Sequence, residues 1–164
     1  MSKIITFSRT FPAYHPKKGQ QTYFVEKFYN SIYEEEGDWS SALGTLQNYV
    51  VELDHTVRQL KHHTIRSGHR WKAGDYFSPR VWSGRPYNSP MITIAPDTKI
   101  EKVWDFMIDP LESGELYINC ALANHRLKEI AKNDGLELQD LLEWFKYPKP
   151  FDGQIISWNK NINY

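Results

Sequence analysis

Within six consecutive residues, Lys61-His62-His63-Thr64-Ile65-Arg66, the chain carries an amine, a hydroxyl and a guanidinium. On a β-strand, neighbouring side chains alternate between faces, so His62, Thr64 and Arg66 are expected on one side and His63 and Ile65 on the other, with Ile65 in the core. Lys61, just before the strand, is placed to swing toward Thr64 and Arg66. Two chemical uses fit these residues. In a binding pocket, Arg66 offers a planar fork of donors to a phosphate or carbonyl and Thr64 can donate or accept one bond. In catalysis, Thr64 is the nucleophile and Lys61 its base, which requires the lysine to titrate far below its ordinary value of about 10.4 through burial or a neighbouring cation such as Arg66. The bland alternative leaves Lys61 solvated and Thr64 an ordinary strand residue.

Further on, Trp82-Ser83-Gly84-Arg85-Pro86-Tyr87 sets Arg85 and Tyr87 in a Gly/Pro turn, where both are expected to be exposed for contact. Trp71 and Trp82 sit in strand-like stretches and are expected to pack. Adjacent His62 and His63 point to opposite faces with no Cys, Asp or Glu at a zinc-like spacing, so no metal site is expected, and no motif calls for a cofactor.

The chain has 164 residues, 40% hydrophobic and 15% aromatic, enough for one globular domain and too core-rich for a disordered chain. Twenty basic residues balance twenty acidic ones, so the total predicts no long-range attraction to polyanions. The distribution is uneven. Residues 58–85 carry seven Lys/Arg against one acid, Asp75, whereas residues 101–144 carry ten acids against four bases. The positive stretch coincides with the candidate motif and interleaves Trp71, Tyr76, Phe77, Trp82 and Tyr87, a mixture suited to tracking phosphates and stacking bases. Cys120, the single cysteine, is expected to be a buried small hydrophobe. The absence of an apolar signal core and of a long apolar run points to a cytoplasmic protein with no membrane partner.

These residues need a scaffold. Lys3 to Ser8 reads as a first strand; Phe24, Val25, Phe28, Tyr29 and Ile32 set an apolar helical stripe over residues 21–35; and Leu43, Leu46, Val50, Leu53 and Val57 suggest a second helix over 41–58. Strands follow near 62–66, 75–82, 91–95 and 99–108. A helix opened by Asn124 stops at Asp134-Gly135, a second carries Leu138, Leu141, Leu142 and Phe145, and a strand over 151–158 closes the chain. The second of these helices bears Glu137, Asp140 and Glu143, which excludes a DNA-reading helix-turn-helix.

Lys61-x-x-Thr64-Ile65-Arg66, Gly74-Asp75, Trp82-Ser83-Gly84-x-Pro86-Tyr87, Asp134-Gly135-Leu136, Trp144-Phe145 and Gly153-Gln154-Ile155-Ile156 together resemble ASCH-domain proteins of the PUA-like superfamily. The resemblance spans about residues 59–158 within a single domain over 1–164, with 9–58 as a helical elaboration. It implies an α+β fold, a small PUA-like β-barrel of about five to seven strands flanked by helices. It also implies a polar cleft for RNA, a nucleotide or a modified nucleoside; the residues themselves offer Arg66, His62, Trp82, Arg85 and Tyr87 as ligand contacts. One bacterial member cleaves an acetylated cytidine with a lysine, a threonine and a glutamate. Those positions fall on Lys61, Thr64 and, one methylene shorter, Asp134, which makes a small amidohydrolase the alternative reading.

Overall fold

The computed structural model describes residues 2–33, 53–109, 114–146 and 149–164. It is an α+β structure, whose chain forms two compact units, the first from Met1–Leu60 and Tyr76–Lys99, the second from Lys61–Asp75 and Ile100–Tyr164.

In the first unit, β1 (Lys3–Thr6) lies parallel to β3 (Tyr76–Trp82), with Ile5 opposite Pro79. On its other edge β3 pairs antiparallel with β4 (Met91–Thr93) through Arg80–Trp82 and with β5 (Thr98–Lys99) through Tyr76 and Phe77. Pro79, which has no N–H to give, falls in the break between these two pairings, and its carbonyl accepts from the Ile94 N–H at 3.0 Å. Helix α1 (Phe24–Ile32) buries Phe24, Val25, Phe28 and Tyr29, as its apolar stripe predicts. The Phe28 ring lies 4.9 Å from Phe7 and 6.4 Å from Phe77, and the Tyr29 hydroxyl donates to the Ile94 carbonyl at 2.5 Å. The helix is shorter than its periodicity suggests, because Tyr23 adopts a left-handed conformation (φ 56°) while the Thr22 hydroxyl accepts from the Phe24 N–H. Of the helix expected over 41–58, the part up to residue 52 lies outside the described residues. Residues 53–58 are not helical: Asp54 accepts from both the N–H and the hydroxyl of Thr56, a local side-chain turn that competes with helix.

The second unit is built on an antiparallel sheet ordered β2-β9-β6-β7-β8, where β2 is His63–Ser67, β6 Lys102–Asp109, β7 Glu115–Ile118, β8 Ala121–Leu122 and β9 Phe151–Ser157. Period-2 alternation sorts its faces. Trp104, Phe106, Ile108, Leu116, Ile118 and Ile155 are buried on one side, where the rings of Phe106, Phe145 and Phe151 meet at centroid separations of 4.8–6.0 Å. Helices α2 (Leu127–Asn133) and α3 (Leu138–Trp144) contribute Ile130, Ala131 and Leu141 to the core. A 3₁₀ turn over Asn124–Arg126 leads into α2. Gly135 caps α2 at φ 75°, with the Leu136 N–H bonded to Ala131 O and the Gly135 N–H to Lys132 O, the closure its sequence predicts.

Three expectations are corrected. The strand expected over 99–108 is two strands, interrupted where Ile100 exchanges backbone bonds with Asp75 and Gly74. Cys120 is exposed rather than buried, because it turns a hairpin, β7–β8, with Asn119, the two at φ 65° and 48°. Ile65 is only half-buried, because β2 is an edge strand, and the deep position on its face belongs to His63.

Candidate functional site

Lys61 is 1% exposed. Its ammonium donates to the Asp134 carboxylate at 2.6 Å and to the Asp134 backbone carbonyl at 2.7 Å. The carboxylate is held there because Asp134 ends α2, next to Asn133, whose carbonyl accepts from the His62 N–H at 2.8 Å. The chain leading into β2 is therefore bonded to the C-terminal end of α2 by both backbone and side chain. His63, fully buried, places Nδ1 3.5 Å from the same carboxylate oxygen, a charge–dipole contact rather than a formed hydrogen bond, and meets the Tyr164 ring edge-on at 5.6 Å.

The electrostatics follow from burial and charge. Burial alone would raise the Asp134 carboxyl, but the Lys61 ammonium, with His63 assisting, overrides it and holds the group below the ordinary carboxylate value. Burial lowers His63 against the pull of Asp134, so the imidazole is neutral. The cluster is an internal ion pair with a neutral histidine at its side. A carboxylate at this distance stabilises the charged lysine, the opposite of what a base needs.

Thr64 and Arg66 are on the opposite face of β2, across from Ile156 and Gln154 of β9. The Thr64 hydroxyl is hydrogen-bonded to neither Lys61 nor Asp134. Beside Arg66, Gln154 is 6% exposed; its side chain accepts from the Trp71 N–H at 3.0 Å and donates to the Trp71 carbonyl at 3.3 Å, which fixes residues 68–75 against this face. Trp71 is buried, as expected. His62, half-buried, meets the Asn159 side chain at 3.1 Å.

The first unit holds the remaining candidates. Trp82 ends β3 half-buried rather than packed in the core, and its ring lies 5.2 Å from that of Tyr87, which is 88% exposed at φ 64°. The turn that carries Tyr87 is fixed: the Ser89 hydroxyl accepts from the Gly84 N–H and donates to the Arg85 carbonyl, which also accepts from Asn88. Arg85 is exposed. An aromatic residue in a left-handed conformation, out in solvent beside an arginine, costs strain that no core contact explains.

Sequence reasoning misses two groups. It leaves His63 a bystander, although the histidine follows Lys61 by only two residues. It does not pair His69 with Asp105 and Asp152, which the histidine bridges and which only sheet register brings together. Among the described residues, no group of three or more His, Cys, Asp or Glu side chains is arranged to hold a metal ion, and no helix is long and apolar enough to cross a membrane. Compared with protein-family models, curated proteins and solved structures, the chain matches none.

Proposed function

We propose that this chain is an ASCH-type, PUA-like binding module that holds RNA or a nucleotide-like ligand. The observation that carries this reading is the rigid turn presenting Tyr87 over Trp82 with Arg85 beside it, a stacking surface next to a phosphate-binding cation. Arg66, on a partly buried strand next to Gln154, is a second donor fork for the same class of ligand. Base stacking contributes about 1–3 kcal/mol per base, so Tyr87→Ala should weaken binding of a fluorescent single-stranded RNA by roughly 5- to 150-fold in anisotropy titrations. Arg85→Ala and Arg66→Ala should also weaken binding and flatten its salt dependence. Unchanged affinity in all three variants would overturn the reading.

A second reading, hydrolysis of an N-acylated nucleoside, draws on the Lys61–Asp134 pair, which matches an amine with a carboxylate. It requires the Thr64 oxygen to attack the amide carbonyl, forming an acyl ester as the amine leaves with a proton, before water releases the acid. The bonding of Lys61 to Asp134, with no hydrogen bond to the Thr64 hydroxyl, favours binding over this chemistry. Carboxylic acid release from an N-acylated cytidine that vanishes in Thr64→Ala would reverse that preference.

A further inference from the structure

Residues 68–75 connect β2 to β3, and three ties bind the segment to the sheet of the second unit. The Gly68 N–H donates to the Asp152 carbonyl at 3.3 Å, the Trp71 backbone is clasped by Gln154, and His69 spans Asp105 and Asp152. The third tie differs in kind from the others. His69 Nδ1 lies 2.9 Å from the Asp105 carboxylate, and Nε2 lies 3.1 Å from both oxygens of Asp152. Each carboxylate is an acceptor, so each contact needs an N–H on the imidazole. Neutral histidine has one N–H; only the imidazolium has two.

We propose that residues 68–75 form a proton-controlled latch, closed on the sheet when His69 is an imidazolium and loosened when it loses a proton. Deprotonation leaves one ring nitrogen as a lone pair facing a carboxylate, so one of the two contacts turns from attractive to repulsive. The charged groups facing His69 are Asp105 on β6 and Asp152 on β9, and its own segment adds Arg70, Lys72 and Asp75. Asp105 is fixed from behind, since the Asn119 side chain accepts from the Asp105 N–H at 2.9 Å and the Asn119 N–H donates to its carbonyl at 3.0 Å. Hydrogen bonding to Asp152 and then to Asp105 raises the His69 titration above its ordinary value, in the sense the geometry requires. Because the closed form binds the proton more tightly, closure is complete at pH below the ordinary histidine value and is lost as pH rises through the elevated one. The latched segment sits on Gln154, next to Arg66, so its opening alters access to that proposed donor. The latch itself does not depend on that reading.

Hydrogen exchange, expressed as protection factors, reads the latch without a ligand. In the full chain, protection of the Trp71 amide should fall between pH 5.5 and pH 9, about tenfold for each unit by which closure raises the His69 titration. In His69→Gln, which keeps a polar side chain but cannot change charge, protection should be low and flat across that range, while the amides of β6 and β9 stay protected as a check on folding. The NMR titration of the His69 ring should give a value above that of a free histidine, returning toward it in Asp105→Asn/Asp152→Asn. A His69 titration at or below the ordinary value, or equal pH dependence in His69→Gln, would overturn the proposal.

Discussion

Replacing Asp134 by asparagine tests the buried ion pair most directly. The substitution keeps the shape and one acceptor oxygen but leaves the Lys61 ammonium, 1% exposed, without a countercharge. Removing one partner of a buried pair costs about 3–5 kcal/mol. The lower end applies, because the Asp134 backbone carbonyl still accepts from the ammonium at 2.7 Å and the new amide can accept as well. For a chain of this length, roughly 2–4 °C per kcal/mol converts about 3 kcal/mol into a Tm loss of roughly 6–12 °C, measurable by calorimetry. The pH dependence has a definite sign. The Asp134 carboxyl is held below its unfolded value of 3.8, so its contribution is complete above that pH and is lost as pH falls through the depressed folded value. Wild type and Asp134→Asn should therefore converge in stability at strongly acid pH. Lys61→Met combined with Asp134→Leu, an apolar replacement of both partners, should come within about 1 kcal/mol of wild type or exceed it, although each single change destabilises. An Asp134→Asn variant melting within about 1 °C of wild type, or a double variant that loses the sum of the two singles, would show that no buried ion pair joins Lys61 to Asp134.

Other consequences follow from close contacts. A Cβ on Gly153 would stand 2.1 Å from the Arg66 carbonyl oxygen, and that neighbour is backbone; Gly153→Ala should cost about 3 kcal/mol in denaturant titrations and loosen β2 from β9 in hydrogen exchange. Tyr29→Phe deletes the donor to the buried Ile94 carbonyl and should destabilise by about 1–3 kcal/mol, with α1 helicity retained by circular dichroism.

Several elements are legible because local patterns and tertiary contacts agree. The β-branched run at Lys3–Thr6, the apolar stripe of α1 and the Asp134-Gly135 stop each carry their own physical signal, and the structure places them within a few residues of the reading. The β7–β8 hairpin is obscured because apolar residues flank its turn, and the only local sign is Asn119, a residue that tolerates the left-handed conformation. The candidate site is half legible. Alternation separates Thr64 from His63 and sets the core face by Ile65, but cannot say that His63 takes the deep position there; Asp134, at the end of α2, reaches Lys61 beside it across 73 positions. A lysine before a strand looks solvated until a carboxylate from elsewhere in the fold arrives to bury it with.

The order in which the two units are threaded constrains how the chain can be made and cut. The partner of β1, β3, follows it only after roughly seventy further residues, and the second unit resumes only after β5. Neither unit is a contiguous stretch, so truncation at any single internal point severs at least one of them. A fragment beginning at Lys61 would carry β3 without β1, exposing a row of unpaired backbone groups on that edge and inviting self-association.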